Sequence, residues 1–229
     1  MIFRRLAPTF VCLLFAVVAT HAWATFIYTY DFPGAPGNGS SANQTNPQPG
    51  NATFSDFTRV GVTQSPTPNA FESYNWSIAS GGTPDPTTYN SFSITASAGY
   101  HLNLSQLTFD QMHGPGGPTK GQVALYLNGS NTPYATMNYN PASQLQSETF
   151  NFANTTDAMN VTTAEFRFYC WNAGGSTSTY TMLFDNVSTT LDVVPEPSTW
   201  AVSIVPLLIC LHTWIVRRRQ KLRAVEPAK

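Results

Sequence analysis

The residues of this chain whose types and spacing could do chemistry are aromatic rings and amides, with nothing built like a nucleophile beside them. Trp171 is followed at once by Asn172, and a strand over residues 165–171 would set Arg167, Tyr169 and Trp171 on one face and Phe166, Phe168 and Cys170 on the other. Aromatic faces stack on pyranose rings while Asn, Asp or Gln bond sugar hydroxyls, so the ligand such a set would take is polysaccharide. Trp76 and Tyr100 are further candidates for the platform. The competing assignment is structural: Trp171 capping a sandwich edge and Tyr169 pairing across strands. Asp31, Asp185 and Asn186 offer the hard oxygen ligands that calcium takes, provided the first and last strands adjoin; otherwise they are strand-end polar residues.

Catalysis finds little support. His101 and His113 are the imidazoles of residues 25–194, and no G-x-S-x-G occurs. The acids are scattered singly, so a carboxylate pair for glycoside cleavage has no local signature. Cys170 and the two histidines share no zinc-ligand spacing. The expectation is a protein without catalysis, and a carbohydrate-active enzyme with an unrecognised carboxylate site is the alternative. Cys170 is alone in the body, since Cys12 and Cys210 lie in the terminal apolar runs. It reads as a small buried apolar side chain.

The elements that must position these residues are strands. Apolar residues recur at every second position in Phe92-Ile94-Ala96, Val123-Leu125-Leu127 and Phe166-Phe168-Cys170. Further strands are expected over residues 26–32, 70–79, 101–110, 134–139, 148–152 and 180–192, and Asn128-Gly129 signals a hairpin. Residues 32–51 and 81–88 read as long loops. This pattern predicts an all-β antiparallel sandwich, jelly-roll-like in first place and fibronectin-like in second. Of 229 residues, those at 25–194 include ten acidic ones against Arg59, Lys120 and Arg167, a net charge of −7. An acidic body argues against nucleic acid as a partner.

Most of the basic residues lie at the ends. Residues 1–24 carry Arg4 and Arg5, an apolar run and Ala22-Trp23-Ala24, which is the order of a secretory signal cleaved ahead of Thr25 by signal peptidase. The alternative, an uncleaved anchor, needs a longer apolar run. At the other end residues 200–216 are apolar enough for a membrane span, and the basic residues that follow would keep that side cytoplasmic and the body outside.

Pro195-Glu196-Pro197, an apolar segment and Arg217-Arg218-Arg219 stand in that order at the terminus. The arrangement resembles the PEP-CTERM sorting signal of bacterial exosortase substrates. That resemblance implies residues 195–223 as the signal, residues 224–229 as a cytoplasmic tail, and processing by an exosortase, an integral membrane cysteine transpeptidase. It also implies export, passage through the inner membrane and delivery to the cell surface or matrix. The alternative is a plain single-span anchor. Residues 89–109 with Gly99-Tyr100-His101-Leu102, Phe109-Asp110 with Gly116-Gly117-Pro118, residues 166–175, and Leu183-Phe184-Asp185-Asn186-Val187 resemble the jelly-roll ectodomains that precede such signals. For the body this implies a structural or polysaccharide-binding role. No cofactor is expected, unless calcium is bound by Asp31, Asp185 and Asn186. A ligand-free surface spacer is the remaining alternative.

Overall fold

The computed structural model describes residues 25–32, 50–65, 70–152, 158–196 and 211–216. The signal segment, most of the loop expected at 32–51, Pro197, residues 200–210 and Arg217, Arg218 and Arg219 lie outside the described residues. Among the described residues twelve strands are formed: β1 (Thr25–Tyr30), β2 (Ala52–Phe54), β3 (Thr58–Val60), β4 (Thr63–Gln64), β5 (Phe71–Tyr74), β6 (Tyr89–Ala96), β7 (Tyr100–His113), β8 (Lys120–Leu127), β9 (Ala135–Tyr139), β10 (Gln146–Asn151), β11 (Thr163–Trp171) and β12 (Met182–Pro195). They make two six-stranded sheets. The first runs β10-β7-β12-β5-β4, with β1 also paired to β12; the second runs β2-β6-β11-β8-β9, with β3 also paired to β6. All of these strand pairs are antiparallel. The described residues between 25 and 196 therefore form an all-β sandwich, and from β5 onward the chain changes sheet at nearly every connection.

Alternation explains which faces meet. On β11, Phe166, Phe168 and Cys170 point inward, and on β8 so do Val123, Leu125 and Leu127. They meet Phe109 and Phe184 from the facing sheet, with Phe168 5.2 Å and 5.3 Å from those two ring centroids. Strand β7 departs from strict alternation, because Leu102 and Leu104 face the core and so do Leu107 and Phe109. The register against β12 shifts between Thr190 and Leu191, so one extra residue on β7 resets the phase. Ser105 at that shift donates its hydroxyl to Thr190 O at 2.9 Å.

The Asn128-Gly129 turn forms as expected. Both residues have positive φ, and Ser130 N–H closes the turn on Leu127 O. Asn128 Oδ1 also accepts from Thr162 N at 2.9 Å, which ties the turn to the start of β11. Strands β2, β3 and β4 were not expected. At two or three residues each they are too short to show a period.

Cys170 is buried beneath β9, with its Sγ 3.3 Å from the Tyr139 hydroxyl. Burial pushes its thiol up to about 12, against a partial lowering by that hydroxyl. The thiolate that alkylating agents need is then scarce at neutral pH. Native protein at pH 8 is expected to resist iodoacetamide for hours and to react within minutes in denaturant, as intact mass would read.

Candidate ligand-binding face

Strand register decides which polar and aromatic residues share a surface. On the outer face of the second sheet, β11 sets Arg167 opposite Ser91 of β6 and Ala124 of β8, and Tyr169 opposite Gln122 of β8. Gln122 is in turn opposite Asn138 of β9, and its Nε2 donates to Asn138 Oδ1 at 2.8 Å. Glu165 lies opposite Tyr126. The result is a patch of Tyr89, Tyr126, Tyr169 and Trp171 around one guanidinium, bordered by an exposed amide pair.

Arg167 organises the patch. Its guanidinium carbon lies 4.2 Å from the Tyr126 ring centroid and 4.9 Å from that of Tyr89. Its Nε and one terminal nitrogen donate to the two Glu165 oxygens at 2.8 Å each. This bidentate pair holds Arg167 charged and fixes its plane over the rings. The Tyr126 and Tyr169 hydroxyls are 3.1 Å apart. Burial, then the bond from Tyr126, pushes the Tyr169 phenol up, so its hydroxyl stays neutral.

The alternation expected for β11 is as drawn from sequence: Arg167, Tyr169 and Trp171 leave the core together. Two of them are nevertheless covered. Tyr169 is 3% exposed and Trp171 5%. The Trp171 indole donates to Gly81 O at 2.9 Å, and Ser77 forms a bridge with Trp171. The segment over residues 77–82 thus lies against Trp171 and forms a wall, leaving the rings as floor. Asn172 has positive φ and uses its amide to donate to Thr119 Oγ1 at 2.6 Å. Its role is to fix the end of β11 against the β7–β8 connection.

Trp76 requires correction. It is a core residue, 1% exposed, with its indole donating to Ser73 O at 2.8 Å. A ring enclosed in this way cannot stack on a sugar. Tyr100 opens β7 and pairs with Pro195. It is half-buried against the core at the opposite end of the sandwich from Trp171, so it does not belong to this patch.

Residues that sequence reading did not single out are Tyr89, Tyr126, Gln122 and Asn138. Their signal was the alternation of β6, β8 and β9, but only the register places them beside Arg167. Four asparagines that open N-x-S/T triplets, Asn75, Asn128, Asn160 and Asn186, adopt positive φ. Their recurrence answers a backbone demand that Asn meets better than most residues.

The acidic set was expected where first and last strands adjoin, and β1 does pair β12, with Tyr30 opposite Val187. Asp31 therefore follows toward Asp185 and Asn186. Asp110 of β7 joins them: it lies opposite Asp185, accepts from Asn186 Nδ2 at 2.8 Å and from the Ser147 hydroxyl. Among the described residues, no three His, Cys, Asp or Glu side chains are grouped so as to hold a metal ion.

Burial raises the Asp185 carboxyl above its ordinary range, the Asn186 N–H lowers it, and Asp110 and Asp31 raise it further. A raised carboxyl costs stability when ionised, at pH above its folded value, and that cost disappears on protonation. Asp185→Asn keeps an acceptor for the Asn186 N–H and removes the charge. At pH 7 it is expected to raise the melting temperature by about 1–4 °C, allowing for solvent screening. The gain should vanish toward pH 3, and thermal unfolding across pH would show it.

No family model and no curated protein matches the chain. Among solved structures it is similar to a family 29 carbohydrate-binding module from Piromyces equi, at 12% identity over 73% of this chain and 91% of that one, with a TM-score of 0.39. A family 11 carbohydrate-binding module from Clostridium thermocellum, in complex with a β-1,3-1,4-mixed-linked tetrasaccharide, gives 12% identity over 75% and 89%, with a TM-score of 0.34. A cyclase from Fischerella sp. TAU, in complex with 4-(1H-indol-3-yl)butan-2-one, gives 14% identity over 75% and 85%, with a TM-score of 0.32.

Proposed function

We propose that this is an exported surface or matrix protein whose sandwich, jelly-roll-like in its alternation between sheets, binds polysaccharide on the outer face of the second sheet without catalysis. The observation that carries this is the convergence of Tyr89, Tyr126, Tyr169 and Arg167 with the exposed Gln122–Asn138 amide pair on one sheet face. Tyr89 and the Arg167 plane offer the stacking surface, Tyr126, Tyr169 and Trp171 form the floor beneath it, and Gln122, Asn138 and Glu165 address hydroxyls. An acidic body favours uncharged glycans over anionic ones. Affinity electrophoresis of the mature protein through gels containing soluble neutral polysaccharides tests it. Retardation without release of reducing ends is expected. Migration unchanged in every gel, or product release, would overturn it.

The same proposal includes a C-terminal sorting signal. Pro195 is the last residue of β12 and Glu196 N–H donates to Gly99 O at 2.9 Å, so the sandwich runs directly into the Pro-Glu-Pro element. Residues 211–216 are helical ahead of Arg217. Among the described residues no helix is long and apolar enough to cross a membrane; the expected span lies mostly outside them. Replacing Pro195, Glu196 and Pro197 by alanine is expected to leave an unprocessed chain in the inner membrane. A variant with the parent's mass and location would show the tail to be a plain anchor.

A further inference from the structure

Asp192 on β12 carries a side-chain oxygen, Oδ1, that is buried and has no hydrogen-bond partner among the described residues. Such an oxygen calls for a donor, since burying a carboxylate without one is costly. Its neighbours across the sheet are Asn103 of β7 and Thr25 of β1. Alternation places Thr25 and Asp192 on the outer face of the first sheet, because Phe26, Tyr28 and Tyr30 point inward. Four residues along the same pair of strands, Thr29 and Ser188 bond to each other on that face, hydroxyl to hydroxyl at 3.0 Å.

The basic side chains of residues 25–194 lie elsewhere. Arg59 donates to Ser73 and to the Glu72 carbonyl, Arg167 is paired to Glu165, and Lys120 stands opposite Trp171 in the other sheet. On β7, His101 Nε2 faces Glu196 at 3.5 Å. Beyond the imidazoles of His101 and His113, the one further cation that this part of the chain can acquire is an α-ammonium, created if the signal segment is cut ahead of Thr25.

We propose that Asp192 is the binding site for the new α-ammonium of Thr25, so that signal-peptide cleavage completes the β1–β12 edge and stabilises the mature sandwich. Hydrolysis of the Ala24–Thr25 peptide bond by water leaves the carboxylate on Ala24 and the amine on Thr25, which is protonated at neutral pH. In the uncut chain that nitrogen is a neutral amide. In the mature chain it carries three donors and a positive charge beside the Asp192 carboxylate. The proposal rests on cleavage at Ala24–Thr25 and is independent of the sugar-binding face.

The test compares the full mature chain with the same chain carrying Gly-Ser ahead of Thr25, each with and without Asp192→Asn. Two added residues move the ammonium about 7 Å along the strand direction. Pairing raises the amine above its ordinary value of about 7.7, so its contribution is fully present below that pH and is lost as pH rises through the folded value. At pH 6 the mature chain is expected to melt about 2–4 °C above the extended one. The difference should disappear by about pH 10, when the amine is neutral, and should be absent at pH 6 in the Asp192→Asn background. His101 and Glu196 are common to both chains and cancel in the difference, as does the uncharged Asn103. Equal melting of mature and extended chains would overturn the proposal. So would a difference that survives Asp192→Asn, which would show that the extension disturbs the strand itself. N-terminal sequencing of the exported protein separates the two premises: a start other than Thr25 refutes the cleavage site, whereas the melting cycle judges the ammonium site.

Discussion

Replacing Phe57 by alanine is expected to cost the fold about 3–5 kcal/mol, the range for a large buried aromatic ring, and to lower the melting temperature by about 10 °C or more. Phe57 is fully buried and meets six rings, those of Tyr30, Phe32, Phe71, Phe92, Phe168 and Phe184, at centroid separations of 4.7–6.4 Å. These rings come from both sheets and from the segments between them, so an emptied site cannot close by shifting one strand. Thermal and denaturant unfolding of the variant check the estimate. A loss below about 1 kcal/mol would mean that the ring cluster repacks and is not the centre of the core.

Arg167→Ala should act on binding far more than on folding. The Arg167 side chain is 24% exposed and that of Glu165 32%, so solvent screens their ion pair and it contributes little to stability. Its removal nonetheless frees Tyr89 and Tyr126 from a shared plane and strips the charge from the middle of the patch. Affinity for the glycan that retards the parent is expected to fall about tenfold to a hundredfold, or ~1.4–2.8 kcal/mol. Arg167→Lys should recover little, since an ammonium cannot hold the bidentate geometry and stack between two rings at once. Recovery of full affinity by lysine would reduce Arg167 to a point charge.

Phe57 also illustrates what the amino-acid pattern conceals. It lies between β2 and β3, outside any run long enough to show alternation, so nothing marks it as the hub of the core. The long strands were legible because Phe92, Ile94, Val123, Leu125, Phe166 and Phe168 each follow a two-residue period that only a half-buried strand requires. The bulge at Ser105 was not, since a single inserted residue leaves both halves of β7 alternating correctly. For the candidate site, alternation placed Arg167, Tyr169 and Trp171 together on one face of β11. It could not tell a solvent-facing ring from one walled in, and Trp171 is held against Gly81, whose position depends on a loop. Trp76 differs for a related reason: it falls within the strand expected over residues 70–79, but β5 ends at Tyr74, and beyond Asn75, with its positive φ, the ring packs into the core. Tyr89, Tyr126, Gln122 and Asn138 needed the register of β6, β8 and β9 against β11, which no single strand encodes.

Each sheet carries an amide pair on its outer face, and this allows the location of binding to be tested within one protein. On the second sheet Gln122 donates to Asn138, and on the first Gln106 donates to Asn151, each at 2.8 Å and exposed. Both pairs are expected to be nearly neutral for folding when replaced by alanine. The most direct measurement is calorimetric titration of the retarding polysaccharide into the mature protein and into the two double variants. The account predicts that Gln122→Ala with Asn138→Ala weakens binding about tenfold or more, while Gln106→Ala with Asn151→Ala leaves it unchanged. Binding that survives the first substitution and falls with the second would place the ligand on the opposite sheet and contradict it.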